Sequence, residues 1–302
     1  MGLSFHKIRK WTNMMRGKSV YHVNQDEGKC YSRDFVKGYY NNLTEKVSRF
    51  GREDNEIPDT VVDSGETVYF SIAIFQYGLG AYDLYLMNND ENALEKMKNC
   101  ADWAVNNQNE DGSWTTFLFE DESNPYSSMA QGEGISLLIR AHIETNDERY
   151  LNSAKKAFEF MQVSLENKGV AVYENEDIMF YEYTNKPVIL NGWIFSLWGI
   201  YDYCKYLQDD NAKKILDASL NTLKKKLPEY DMRYWSKYDI EKRVCSPFYH
   251  KLHIAQLRVM YDLFGDQIYK EYADKWEKYQ KSFWKPKRAF LKKALQKIFE
   301  RG

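Results

Sequence analysis

The segment Phe180-Tyr181-Glu182-Tyr183 sets one carboxylate among three aromatic rings. A carboxylate so placed is partly desolvated, which raises its pKa and suits it to exchange a proton near neutrality. The competing reading is a solvated Glu on a half-exposed strand. Three further segments carry phenol, carboxylate or imidazole: Asn124-Pro125-Tyr126-Ser127, Tyr238-Asp239 and Tyr249-His250. The chain has 24 tyrosines in 302 residues. A phenol stacks on the apolar face of a pyranose and bonds its hydroxyls, so a tyrosine cluster fits a sugar site as well as an aromatic core. Glu182 with Asp239 would also supply the two carboxylates that a glycoside hydrolase needs.

Other chemistries find less support. His250 and His253 are three apart without the acidic partner of a zinc motif, so they read as inward imidazoles bonding substrate or backbone. Gly78-Leu79-Gly80 and Gly132-Glu133-Gly134 fall inside helical patterns and lack the strand of a phosphate loop; they read as close helix contacts. No Gly-x-Ser-x-Gly or Cys/His nucleophile pattern is present. The four cysteines are far apart and predict reduced thiols in the cytoplasm. A net charge of −2 excludes the global basic field of a nucleic-acid binder.

The elements that must hold these residues repeat. Asp90, Asp147, Asp209 and Asp266 mark turns 57, 62 and 57 residues apart. Before each turn the pattern is apolar nearly all round; after it, apolar residues recur on one stripe, as in Tyr150, Ala154, Ala157, Phe158 and Met161. Each Asp stands where a helix N-terminus wants an acceptor. Buried helices alternating with amphipathic ones predict a mainly α protein, an α/α toroid, partial or complete, with an ordinary bundle as the alternative. The segments before the buried helices then converge on one rim. Residues 170–184 predict a β-hairpin with Phe180 and Glu182 on one face, Tyr181 and Tyr183 on the other. The expected divisions are residues 1–65, a basic segment and irregular arm; 66–284, the toroid; and 285–302, a basic amphipathic helix.

Both ends are basic. Residues 1–18 hold five Lys or Arg and no acid, with Phe5, Ile8 and Met15 on one face. Residues 285–301 hold seven Lys or Arg against Glu300, with Phe290, Leu291, Ala294, Leu295, Ile298 and Phe299 as an apolar stripe. Such helices suit a membrane surface; the alternative is a packed terminal helix with a solvated basic face. No apolar run reaches the roughly 20 residues of a membrane span, and the first residues lack a signal peptide's apolar core. A cytoplasmic protein, peripheral to the inner face of the membrane, is the expectation.

Taken in order, NPYSSMAQGEGISLLIRAHI, FYEYTNKPVILNGWIFSLWGIYDY, LPEYDMRYWSKYDI and YHKLHIAQL resemble the C-terminal domain of the D-glucuronyl C5-epimerases, and YFSIAIFQYGLGAYDLYL resembles the helix opening that family's toroid. The likeness runs from about residue 30 to 280. It implies inversion of D-glucuronate to L-iduronate within a polysaccharide, with the family's Glu-Tyr pair on Glu182 and Tyr183, its Tyr-Asp motif on Tyr238 and Asp239, and its Tyr-His motif on Tyr249 and His250. It also implies a homodimer. Three departures stand out. Tyr181 replaces the first of two tandem glutamates, Glu241 stands where an Arg is expected beside Lys242 and Arg243, and the arm has no room for the family's large N-terminal β-domain.

The chemistry so implied removes a proton α to a carboxylate and returns one on the opposite face, so the charge that develops must be stabilised. Glu182 and Tyr249 are the expected proton-handling pair, with Tyr183 and Tyr238 assisting. Tyr126, Gln131, Asn191, Arg243 and His250 are the expected binding residues. No metal or organic cofactor is called for. Tyrosine has an ordinary pKa near 10, so the site must lower it. A lyase shares the first step, and a non-catalytic glycan-binding protein would share only the fold.

Overall fold

The computed structural model describes residues 23, 25–50, 57–61 and 65–299. The described residues form two compact units, one within Gly28–Leu223 and one combining those up to Glu27 with those from Lys224 onward. The basic stretch at residues 1–18 lies outside the described residues.

The larger unit holds a short helix α1 (Thr44–Phe50) and three helical hairpins: α2 (Ser71–Asn88) with α3 (Glu91–Asn106), α4 (Ser128–Thr145) with α5 (Glu148–Met161), and α6 (Leu190–Leu207) with α7 (Asp210–Lys226). The first helix of each hairpin is the buried one. In α4 every residue from Ser128 to His142 is out of solvent. The second helix buries one stripe, in α5 Tyr150, Leu151, Ala154, Ala157, Phe158 and Met161 among others. Helix α4 packs between α2 and α6 with the amphipathic helices outside them, which is the two-layer build of an α/α toroid. The smaller unit repeats the hairpin in α8 (Pro247–Phe264) and α9 (Gln267–Gln280) and adds α10 (Lys285–Phe299).

The turns explain the repeat. Each buried helix ends on a left-handed residue, Asn89, Asn146, Gln208 or Gly265, and the next residue is the Asp that starts the outer helix. A left-handed residue stops a helix by turning its last carbonyls back on themselves. Asp90, Asp147 and Asp209 then cap through their carboxylates, to Asn92 and Ala93, to Arg149, and to Ala212. The fourth departs from expectation. Asp266 makes no side-chain cap and pairs at 3.0 Å with Lys224.

The glycines inside the helices serve close contact, as expected. A Cβ on Gly199 would lie 2.3 Å from the Gly132 carbonyl oxygen, and one on Gly132 would lie 2.7 Å from that of Phe195. Helices α4 and α6 therefore touch backbone to backbone. A fully buried ion pair, Arg140 with Asp202, links them again further along.

The β-hairpin forms, as β3 (Ala171–Glu174) and β4 (Asp177–Phe180), with Ala171 opposite Phe180. It is shorter than expected. Glu182 lies beyond the strand, so strand alternation does not set its direction. A second, two-residue pair joins β1 (Thr60–Val61) to β2 (Thr67–Val68). Residues 28–50, expected as an irregular arm, enter the core: Tyr39, Tyr40 and Leu43 are essentially inaccessible and α1 follows them. Helix α10 is packed through Ala289, and Leu291 and Leu295 of its expected apolar stripe face outward. Among the described residues, no helix is long and apolar enough to cross a membrane.

Candidate active site

In the larger unit the chain leaves β4 and runs onto the start of α6. Backbone bonds fix the path: Tyr181 N–H donates to the Val170 carbonyl, and Ser128 N–H at the head of α4 donates to the Tyr181 carbonyl. Outer helix α7 steadies the hairpin, Ser219 and Thr222 bonding both backbone groups of Ile178. Glu182 is thereby delivered inward, only 6% exposed. Its Oε2 accepts a 3.5 Å bond from the Asn191 amide. Gly192 makes the room, since a Cβ there would lie 2.4 Å from that same Oε2.

A second carboxylate stands close by. Glu133, midway along α4, has no solvent exposure. Its Oε1 accepts a 2.7 Å bond from Gln76 of α2, and its Oε2 has no hydrogen-bond partner among the described residues. Burial pushes its pKa well up; the Gln76 bond and the charge of Lys46 oppose the rise, and the Glu182 charge adds to it. Lys46, on α1, has its own pKa lowered to about 8 by burial, with Glu133 pulling it back upward. Tyr39 completes the group. Its buried hydroxyl has no partner among the described residues, and burial and then the charge of Glu133 hold its pKa well above the ordinary value. Glu133 thus feels the charges of Glu182 and Lys46 and acts in turn on Lys46 and Tyr39, so its protonation is linked to theirs.

Sequence reasoning missed Glu133, Lys46 and Tyr39. The signal for Glu133 was an ionisable residue inside a helix that is otherwise apolar nearly all round. Of the expected residues here, Tyr183 stacks on Phe117 at 3.9 Å between centroids and carries the Lys186 ammonium over its ring. Tyr126 packs edge-on against Phe160 at 5.0 Å. Gln131 is wholly buried. Its amide donates to the carbonyls of Gly112 and Ala157 and accepts from Trp114 N–H, fastening α4 to its surroundings.

The smaller unit gathers the others. Tyr238 and Tyr249 are in ring contact at 4.8 Å, and the Arg243 guanidinium lies 5.4 Å from the Tyr238 centroid. Asp239 organises the loop beneath them: Oδ1 accepts from the backbone N–H groups of Glu241, Lys242 and Arg243, and Oδ2 pairs with the Arg243 side chain. Burial alone would raise its pKa, but these bonds outweigh it and hold the carboxylate ionised. His250 is enclosed. It stacks on Trp235 at 3.6 Å, accepts from Ser236 at Nδ1 and donates from Nε2 to the Trp276 carbonyl. Burial lowers its pKa to about 3, so it is a neutral strut at ordinary pH. Among the described residues, His250 and His253 belong to no cluster of three or more groups able to hold a metal.

Residues 108–278 match the family described as the D-glucuronyl C5-epimerase C-terminus. The chain belongs to that family. It is 31% identical over 205 residues to D-glucuronyl C5-epimerase of Caenorhabditis elegans, covering 58% of this chain and 33% of the nematode protein. It is 33% identical over 155 residues to an uncharacterized protein of Methanocaldococcus jannaschii, covering 49% of this chain and 50% of that one. The chain therefore spans a third to a half of these relatives. Among solved structures it is similar to an unsaturated glucuronyl hydrolase variant from Streptococcus agalactiae, with a TM-score of 0.50 at 12% identity over 92% of this chain and 79% of the other. That likeness is one of fold, and those hydrolases are α/α toroids.

Proposed function

We propose that the protein is a uronic-acid C5-epimerase, inverting D-glucuronate to L-iduronate within a polysaccharide. The observation that carries this is the sheltered carboxylate of Glu182, held by Asn191 beside Glu133 and Lys46, in a chain of the epimerase family. Proton loss from C5 leaves its electron pair delocalised into the adjoining carboxylate, which needs nearby positive charge. Lys46 supplies it. Glu182 and Tyr249 are the two proton-handling groups, and Tyr183 and Tyr238 assist. Asn191 positions Glu182, Arg243 and Tyr126 bind the glycan, and Gln131 and His250 hold their neighbours in place. A proton returned to the face opposite its departure inverts the centre with no net change in atoms or electrons.

The test is exchange in D₂O with heparosan and other glucuronate polymers, followed by NMR at C5. Deuterium at C5 with intact chains and new ido-configured signals is expected, falling by about a hundredfold or more in Glu182→Gln. Full exchange in that variant would overturn the assignment. Paired carboxylates are also what a glycosidase uses. New reducing ends would move the reading to a hydrolase, a 4,5-unsaturated uronate to a lyase, and binding without exchange to a glycan-binding protein.

A further inference from the structure

Large apolar side chains in water are ordinary singly but unusual in a row. At the start of α10, Phe283 and Trp284 are 67% and 72% exposed, and Leu291 and Leu295 follow at 61% and 43%. The Arg288 N–H donates to the Trp284 carbonyl, so Trp284 already belongs to the helical path. At about 100° per residue, Trp284, Leu291 and Leu295 fall within about 40° of one another. Their side of the helix is its outer one. The opposite side is fastened down by buried Ala289, by Lys293 donating to the Val244 carbonyl, and by Gln296 bonding Val244 and the Lys242 carbonyl.

Charge accompanies the apolar row. Residues 285–296 contain five Lys or Arg and no acid. Lys287 and Lys292 flank the exposed row, and the Lys287 ammonium sits 3.5 Å from the Phe283 centroid and 5.3 Å from that of Trp284. A core-facing helix would bury these leucines, and a purely solvated one would not present Trp and Phe. An aromatic and leucine face bordered by cations, lying flat on a packed helix, matches the boundary between lipid headgroups and acyl chains.

The geometry points to α10 as a docking surface for an anionic lipid bilayer, with Trp284, Leu291 and Leu295 entering the acyl boundary and Lys287 and Lys292 meeting the headgroups. This stands apart from the reaction proposed above, because it rests on a different face and needs no turnover.

The test is cosedimentation of the purified 302-residue chain with vesicles of phosphatidylcholine, with and without phosphatidylglycerol. Binding is expected to the anionic vesicles and to weaken with salt. The triple variant Trp284→Ser, Leu291→Gln, Leu295→Gln is expected to lower partitioning by about tenfold or more. Lys287→Gln with Lys292→Gln is expected to flatten the salt dependence. The altered side chains are exposed or flanking, so unfolding temperatures should hold. Absence of wild-type binding, or binding unchanged in the triple variant, overturns the proposal. So does self-association in sedimentation velocity that the triple variant abolishes while vesicles remain unbound, since the face would then serve a second copy.

Discussion

Arg140 and Asp202 meet at 2.6 Å with neither side chain reaching solvent. Tyr40 and Ser136 donate to the same carboxylate, and Arg140 also donates to the Gly38 carbonyl. One ion pair therefore ties α4, α6 and the segment before α1. Removing one partner leaves the other charge buried alone. Asp202→Leu or Arg140→Met is expected to cost about 3–5 kcal/mol in denaturant unfolding. The double variant should lose clearly less than the two single losses together; strict additivity would show that the pair is not coupled.

Gly192 permits a separation of activity from stability. Alanine is intrinsically the better helix former by about 1 kcal/mol, but its methyl would fall on the Glu182 carboxylate. Gly192→Ala is expected to cut C5 exchange at least tenfold through displacement of Glu182, with the unfolding temperature moving by only a few degrees. Unchanged exchange would show that the position of Glu182 is not critical.

Much of this organisation was legible locally. The hairpins announce themselves because an Asp recurs at nearly even spacing between an apolar stretch and a striped one, four times over. Glu182 stood out through its aromatic neighbours. What sequence could not reveal depends on partners far along the chain. Gln131 spends its amide on Gly112 and Ala157, and His250 on Trp276; spacing shows neither. Lys46 and Tyr39 sit in a stretch without periodicity, and Glu133 was hidden between glycines that explained themselves as packing. Asp266 broke the capping rule because Lys224 claims its carboxylate.

Asp83 gives a pH prediction. It is buried, and its pKa is raised to about 7, by burial first, against the Tyr39 N–H bond and the charge of Arg140. A raised folded-state pKa gives stability that is complete below the ordinary value of 3.8 and lost as pH climbs through about 7. Asp83→Asn keeps an acceptor for Tyr39 without the charge. Its stability relative to wild type is expected to grow from pH 4 to pH 8, reaching about 4 kcal/mol at most. A constant difference across that range would refute the linkage.

Lys46 gives a second, read in activity. Its pKa near 8 implies that the ammonium is lost as pH rises past that value, so C5 exchange should decline on the alkaline side. Glu133 raises the Lys46 pKa by its charge, so Glu133→Gln should move that decline to lower pH. Lys46→Met should abolish it together with most of the rate. An alkaline limb that stays put in Glu133→Gln would assign it to another group.

The smaller unit is assembled from distant parts of the chain. Asp26 and Glu27 pair with Lys251 and Arg258 of α8, whereas the larger unit is one unbroken stretch. On the ribosome, where synthesis runs at about 5–20 residues per second, the three hairpins emerge in order and each can settle on the one before it. The residues at 26 and 27 must wait for more than two hundred others to be made before their partners exist. Birth order thus favours the carboxylate pocket first and the tyrosine pair last. A nascent chain stalled before residue 250 would carry Glu182 already in place and Tyr249 not yet made.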